Sequence, residues 1–311
     1  MDALAVLMEA PKQLALRPVT LTPLGPGDVL VGTRWSGIST GTEKLLYRGQ
    51  MPDFPGMGYP LVPGYESIGR IIDAGSEARS RVGEWVFVPG ASCYESARGL
   101  FGGNCQRLIV PAARAFPISE GLAESGVLVA LAATAHHALA GGDLPELIVG
   151  HGVLGRLMAR MTIAMGGDAP VVWETSDSRC NGARGYTVTK PEADERHDYS
   201  VICDVSGNVE VLDDLVMRLA RQGEVILAGF YSERVNFAFP PAFQKEARMR
   251  IAAEWSPDDL TATLAMIESG ALSLDGLVSD VQPAANAGEA YPAAFSDPDC
   301  LKMVLDWREA A

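Results

Sequence analysis

Gly150-His151-Gly152-Val153-Leu154-Gly155 is the run whose residue types and spacing most directly imply chemistry. It follows the apolar segment ELIVG (146–150) and opens LGRLMARMTIAM (154–165), where Leu154, Leu157, Met158, Met161 and Met165 share one helical stripe. Glycines in that strand-to-helix setting bind a dinucleotide. Gly150 allows the tight turn, Gly152 lets the backbone approach a pyrophosphate, and Gly155 lets helix and strand pack closely. The helix start offers unpaired N–H groups, those of Val153 and Leu154 among them, to the phosphates. Glu174 ends the next apolar strand, PVVWET (170–175). An acid about twenty residues past the last motif glycine accepts hydrogen bonds from the adenosine ribose and repels a 2′-phosphate, which predicts NAD rather than NADP. Arg179, the cation that would argue for NADP, lies past the strand end in a polar loop. CDVSG (203–207) and AGFY (228–231) end later strands where ligands bind in open α/β sheets, so Val205, Ser206 and Gly229 are expected beside the cofactor.

The elements that must position this site alternate in the C-terminal half. Strand-like runs at 146–150, 170–175, 185–190, 199–205, 224–230 and 248–255 are separated by helical patterns. One of these, VEVLDDLVMRLARQG, is expected to end on Gly223 as a C-cap. Such alternation predicts βαβ units and a doubly wound parallel sheet, a Rossmann domain over 122–255. Residues 1–121 differ in texture, with short alternating runs such as DVLVGTRWSGI, SIGRIIDAG, EWVFVPG and NCQRLIVP separated by Gly and Pro. They predict a barrel-like β domain. The last part, 256–311, carries a helical stretch (PDDLTATLAMIESG) and two runs that could return a strand to the first domain, LVSDVQ and KMVLDW. The fold class is therefore α/β.

Composition excludes several partners. A net charge of −14 over 311 residues argues against nucleic acid and anionic membranes. The longest apolar run, Val127 to Ala135, is short of the ~20 residues of a membrane span, and the N-terminus lacks a basic region and cleavage site of a secretory signal. Five scattered cysteines (Cys93, Cys105, Cys180, Cys203, Cys300) suit reduced thiols in a cytoplasm.

With these residues in view the chain resembles the medium-chain dehydrogenase/reductase family over nearly its whole length. The landmarks are GISTGTE (37–43), PGYESIGRIIDAG (63–75), VGEWVFVPG (82–90), GGNCQRLIVP (102–111), TAHHAL (134–139), GHGVLG (150–155) and the stretch 203–231. The resemblance implies a GroES-like catalytic domain built from both chain ends, with the active site in the cleft it forms with the Rossmann domain. WSGISTGTEKLLYRGQMPDFPGMGYPLVPGYESIGRI narrows the likeness to the branch of the family that acts on tetrapyrroles of bacteriochlorophyll synthesis. That branch implies oxidation of a 1-hydroxyethyl group to acetyl with hydride passing to NAD. It also allows a homodimer, and docking at pigment-synthesising membranes.

Zinc-dependent members of the family place metal ligands where this chain has Ser39, Tyr65 and Ala130. None of these is a good zinc ligand, and only Cys93 and Cys105 lie where the family's structural-zinc cysteines would be. His136, His137, His151 and His197 form no ligand cluster in sequence, so no metal is expected. The proton of the alcohol then needs another acceptor. By resemblance Thr42 hydrogen-bonds the substrate hydroxyl and can relay a proton. A plain turn hydroxyl accounts for Thr42 equally well. By the same resemblance Tyr65 takes the zinc histidine's place and is expected to face the substrate carbon, and Glu66 is expected to orient its neighbours, a position that core packing or an N–H bond also explains. His136, beside His137, would be the better base near neutrality, although a helical pair of histidines more often has one packed and one solvated member. Lys44, Arg48 and Arg98 are candidates for a propionate, and the loop MPDFPGMGYP (51–60), with Phe54 and Tyr59, for an apolar platform under the macrocycle. Ordinary surface charges and a packed loop account for the same residues. Two rival functions stay open. One is a zinc-free quinone or enoyl reductase, which would favour NADPH; the other is an NAD(H)-binding regulator without turnover.

Overall fold

The computed structural model describes residues 1–53 and 55–309. The chain divides into two compact units: Met1–Ala130 with Leu277–Ala311, and Leu131–Gly276.

The second unit is a six-stranded sheet in the order Thr187–Thr189, Val171–Trp173, Leu147–Val149, Tyr199–Asp204, Leu219–Leu227, Arg248–Ile251. Every neighbouring pair is parallel. In chain order that is 3-2-1-4-5-6, the doubly wound Rossmann arrangement, whose switch point falls between Leu147–Val149 and Tyr199–Asp204. The inner strands read as unbroken apolar runs because both of their faces are covered: Leu147 and Ile148 are fully buried, as are Ile202 and Cys203. Helix Val153–Ala164 returns the chain after the first of these strands and buries Leu157, Met158 and Met161. Helix Pro257–Glu268 starts in a capping box, the Ser256 side chain and Asp259 each bonding the other's backbone, with Pro257 in its first turn.

One expected boundary is corrected. The helix thought to run to Gly223 covers only Leu212–Arg218, and the next strand begins at once at Leu219. Leu219 is buried and pairs with Tyr199, while the positive φ of Gln222 (64°) marks a register shift before Glu224 pairs with Val201. The buried Arg218 side chain donates to the carbonyls of Pro191 and Arg196, which stops the helix where its last cation is needed. Gly223 is thus inside a strand and caps nothing.

The first unit is β-rich. A seven-stranded sheet runs Asp280–Pro283, Met303–Asp306, Asp28–Gly37, Ser67–Ala74, Trp85–Val88, Phe116–Pro117, with Arg107–Pro111 also paired to Asp28–Gly37. A four-stranded sheet runs Gln13–Thr20, Asp2–Ala10, Leu61–Val62, Arg98–Gly99. The C-terminal runs do return to this unit: Met303–Asp306 pairs antiparallel with Asp28–Gly37 and parallel with Asp280–Pro283. Glu120–Ala140 is long and apolar enough to cross a membrane by length and composition. More than half of its most apolar window is buried in the protein, however, and Ala123 breaks it with φ 46° and ψ −138°.

Candidate active site

In the first unit the strand Asp28–Gly37 leads into a short turn and then helix Thr42–Arg48, while Tyr65 and Glu66 immediately precede strand Ser67–Ala74. This brings three hydroxyls together. Ser39 Oγ and Tyr65 OH lie 2.6 Å apart, and Thr42 also hydrogen-bonds Tyr65. Phe101 packs edge-on against the Tyr65 ring at 5.3 Å. Burial drives the Tyr65 phenol well above its ordinary range, and the neighbouring Glu66 and Glu43 carboxyls add to this against the opposing hydrogen bonds from Ser39 and Thr42. Tyr65 is therefore a neutral phenol, able to donate and accept at once.

Behind the hydroxyls lie two carboxyls and a lysine, all fully or almost fully buried. Glu66 is ion-paired with Lys302, whose Nζ also donates to the Ile38 carbonyl at 3.1 Å. Burial raises the Glu66 carboxyl, with Lys302 working against it. Glu66 Oε1 has no hydrogen-bond partner. Glu43 accepts from the Ser39 backbone N–H (3.1 Å), Asn104 Nδ2 (3.2 Å) and Tyr291 OH (2.6 Å). Burial pushes Glu43 up to about 8; its Tyr291 bond works against this, and Glu66 reinforces it. Sequence reasoning placed Tyr65, Glu66 and Thr42 here but missed Glu43, Asn104, Tyr291 and Lys302. Glu43 stood in the GISTGTE landmark, but between Thr42 and Lys44 nothing in its sequence context marked it as buried. Tyr291 and Lys302 join from 248 and 236 residues away in the chain, which no local pattern conveys.

These groups do not fit zinc. The positions that would ligate it carry hydroxyls bonded to each other, one of them a phenol held above its normal range, and Ala130 has no donor. Among the described residues no three His, Cys, Asp or Glu side chains converge to hold a metal ion.

In the second unit the glycine turn fits a dinucleotide. Gly150 has φ 103°, which favours glycine, and a Cβ on Gly155 would stand 1.8 Å from the Gly150 carbonyl oxygen. Gly152 is the N-cap of helix Val153–Ala164, with no side chain capping it, so the first N–H groups, including those of Val153 and Leu154, are left for a ligand. Val205, Ser206 and Gly229 gather at the same turn. Ser206 is the nearest neighbour a Cβ on Gly150 would meet, Val205 lies 3.3 Å from one on Gly155, and a Cβ on Gly229 would reach the Val205 carbonyl carbon at 3.2 Å. Glu174 follows strand Val171–Trp173 and accepts from the backbone N–H of His151 (3.1 Å) and of Ser176 (2.7 Å). A Cβ on Gly152 would lie 3.9 Å from Arg179 Nη1, so this cation stands at the turn.

His136 is held elsewhere in this unit. Its Nδ1 lies 2.8 Å from Asp259 Oδ1, and His137 Nδ1 lies 2.8 Å from Asp259 Oδ2. Burial would raise the Asp259 carboxyl, but the Ser256 and histidine hydrogen bonds outweigh it and hold the group well below the usual carboxylate range. Arg98 donates to the Met57 carbonyl at 2.6 Å. Met51, Met57 and Tyr59 pack on the core around Leu46, Tyr291 and Phe295, the arrangement of a packed loop. Phe54 lies outside the described residues.

Residues 25–120 match the model of the alcohol dehydrogenase GroES-like domain. The chain is 57% identical, over 100% of both chains, to 2-desacetyl-2-hydroxyethyl bacteriochlorophyllide A dehydrogenase of Cereibacter sphaeroides. It is 56% identical, again over 100% of both, to the protein of the same name from Rhodobacter capsulatus. Among solved structures, L-idonate 5-dehydrogenase of Escherichia coli K-12 superposes with TM-score 0.86 at 18% identity, covering 99% of each chain. An alcohol dehydrogenase of E. coli CFT073 in complex with NADH gives 0.83 at 22% identity, covering 98% of this chain and 99% of that one. At such identities these two likenesses concern the fold.

Proposed function

Because the chain belongs to the medium-chain dehydrogenase/reductase family and is an oxidoreductase acting on CH–OH groups, we propose that it oxidises the hydroxyethyl side chain of a bacteriochlorophyllide to acetyl, with NAD as acceptor and without zinc. The observation that supports the zinc-free part is the Ser39–Tyr65 hydroxyl pair at two of the positions where metal ligands would stand, with Thr42 bonded to Tyr65 beside it. Bound NAD supplies the hydride acceptor. The residues of the chain must then dispose of one proton. Tyr65 accepts the hydrogen bond of the substrate hydroxyl and, as hydride leaves, takes that proton while passing its own to Thr42, whose partly exposed hydroxyl in turn gives up its proton to water. No phenolate has to form, which suits a phenol that resists ionisation. Conjugation of the new carbonyl with the macrocycle lowers the cost of hydride loss, so a Lewis acid is less needed.

NAD is favoured over NADP by Glu174, whose carboxylate beside the glycine turn would repel a 2′-phosphate. Gly150, Gly152, Val153, Leu154, Gly155, Val205, Ser206 and Gly229 would hold the cofactor; Thr42, Tyr65 and Glu66 would serve the proton. His136 would belong to the proton path only if its tie to Asp259 loosens. On this reading the enzyme works in the cytoplasm and meets its pigment where pigments collect at membranes.

The test is to mix purified protein with a hydroxyethyl bacteriochlorophyllide and either NAD or NADP, with and without a chelator, and follow the pigment spectrum. Conversion with NAD that survives chelation is expected. Loss with chelator overturns the zinc-free mechanism, and a preference for NADP overturns the assignment of Glu174. No conversion with cofactor binding intact redirects the function to a quinone or enoyl reductase or to a non-catalytic regulator.

A further inference from the structure

His151 occupies the second position of the glycine turn, yet its side chain is fully buried. Its Nδ1 lies 2.6 Å from the Arg179 carbonyl oxygen, which can only accept, so Nδ1 carries the hydrogen. Nε2 of the ring lies 2.8 Å from Tyr186 OH and accepts from it when the ring is neutral. Burial lowers the His151 pKa, and nearby Arg156 and Arg160 push the same way against the Arg179 carbonyl and Glu174. Arg156 joins the assembly, its Nε donating to the His151 carbonyl (3.1 Å) and its Nη2 to the Arg179 carbonyl (3.2 Å).

One residue therefore ties down both ends of the segment 174–179. The backbone N–H of His151 holds the Glu174 carboxylate, and its ring holds the Arg179 carbonyl. Those are the acid and the cation that flank the turn on its adenosine side. The buried arginines are already committed to main-chain oxygens: Arg156 as above, and Arg160 Nη1 to the Ser273 and Asp275 carbonyls at 2.8 and 3.0 Å. Of the two, Arg156 is the one that braces the segment, through the Arg179 carbonyl.

We propose that His151 is a positioning residue for the adenosine half of the cofactor site, its ring holding the Glu174–Arg179 segment against the glycine turn before the cofactor arrives. The inference rests on the dinucleotide reading above. It follows from preorganisation, since a segment already held costs less ordering when the ligand binds.

The experiment measures binding of NADH by its fluorescence and of ADP-ribose by competition, so that no turnover is required. Wild-type protein binding both ligands upholds the dinucleotide reading, and binding of neither overturns that reading before any variant is made. Given wild-type binding, His151→Ala is expected to weaken both ligands about tenfold, the scale of one ordering hydrogen bond. His151→Asn, whose amide can replace the Nδ1 donor, is expected to recover most of the loss. Tyr186→Phe, which leaves that donor in place, should weaken binding less than His151→Ala. Wild-type affinity in His151→Ala overturns the proposal. So does an affinity loss that His151→Asn fails to rescue while its melting temperature stays at the wild-type value. Should His151→Ala fail to fold, His151→Phe, which fills the space without a donor, carries the test beside His151→Asn: equal affinities in these two variants would overturn the proposal.

Discussion

Tyr65 is a neutral phenol hydrogen-bonded to Ser39 and Thr42, and its proposed exchange of the substrate's proton along these hydroxyls can be tested at this one residue. Tyr65→Phe removes the exchangeable hydrogen and leaves the ring against Phe101. It is expected to lower kcat/KM for the alcohol about 10²-fold or more, the scale of a positioned acid–base group, while the Kd for NADH stays at the wild-type value. Steady-state kinetics beside a binding titration would check this, and a full-rate variant would remove Tyr65 from the proton path. Glu43 sets a different test, one of pH. Its carboxyl ordinarily titrates near 4.5 and is raised to about 8 in the fold. The folded protein thus binds more protons than the unfolded chain between those values. Its contribution to stability is fully present below the lower value and is lost as pH rises through the upper one. Glu43→Gln, which cannot ionise, is expected to flatten the fall in melting temperature between pH 5 and 8. Thermal scans across that range would show it, and an unchanged slope would mean that Glu43 does not control it.

At the scale of the element, the glycine turn is where sequence and structure agree most closely, because the requirement is local. A strand, a tight turn and a helix must meet within six residues, and only glycine meets the steric demands at 150 and 155. Gly155→Ala would put a methyl 1.8 Å from the Gly150 carbonyl oxygen and force helix Val153–Ala164 off its strand. NADH affinity is expected to fall more than about 100-fold, equivalent to over ~2.7 kcal/mol, with a lower melting temperature; titration and thermal melts would check both. The parallel, doubly wound class of the sheet was legible for the same reason, since apolar runs alternate with amphipathic helical patterns, although the order of the strands came from the structure. What could not be read was tertiary. The helix expected to reach Gly223 stops at Arg218, whose side chain is held by the Pro191 and Arg196 carbonyls, and Leu219 pairs with Tyr199 across the sheet. The ring of His151 looked like the unspecified residue of a motif, although its partners lie 28 and 35 residues on. Ser39 was read only as a missing ligand, since nothing in the spacing shows that it meets Tyr65.

On the scale of the whole molecule, the two units are built differently. Leu131–Gly276 is one continuous stretch, whereas the other unit needs both ends of the chain. The C-terminal return supplies a strand to the large sheet and also Tyr291 and Lys302, which complete the buried polar cluster behind the hydroxyls. Lys302 is the decisive link, because Glu66 is fully buried and already has one unpartnered oxygen. Removing the cation leaves a carboxyl that must either stay charged without compensation or take up a proton. Lys302→Met is therefore expected to destabilise the protein by about 3–5 kcal/mol, the cost of breaking a buried pair on one side. Combining it with Glu66→Leu should recover much of that loss, since an apolar pair of similar volume avoids the uncompensated charge. The loss should also be confined in space. In native-state hydrogen exchange, peptides from 1–130 and 277–309 should lose protection in Lys302→Met, while those from 131–276 keep it. Equal loss across both stretches would show that the return strand stabilises the chain as a whole. No loss in either would show that the pairing of Lys302 with Glu66 contributes little to the fold.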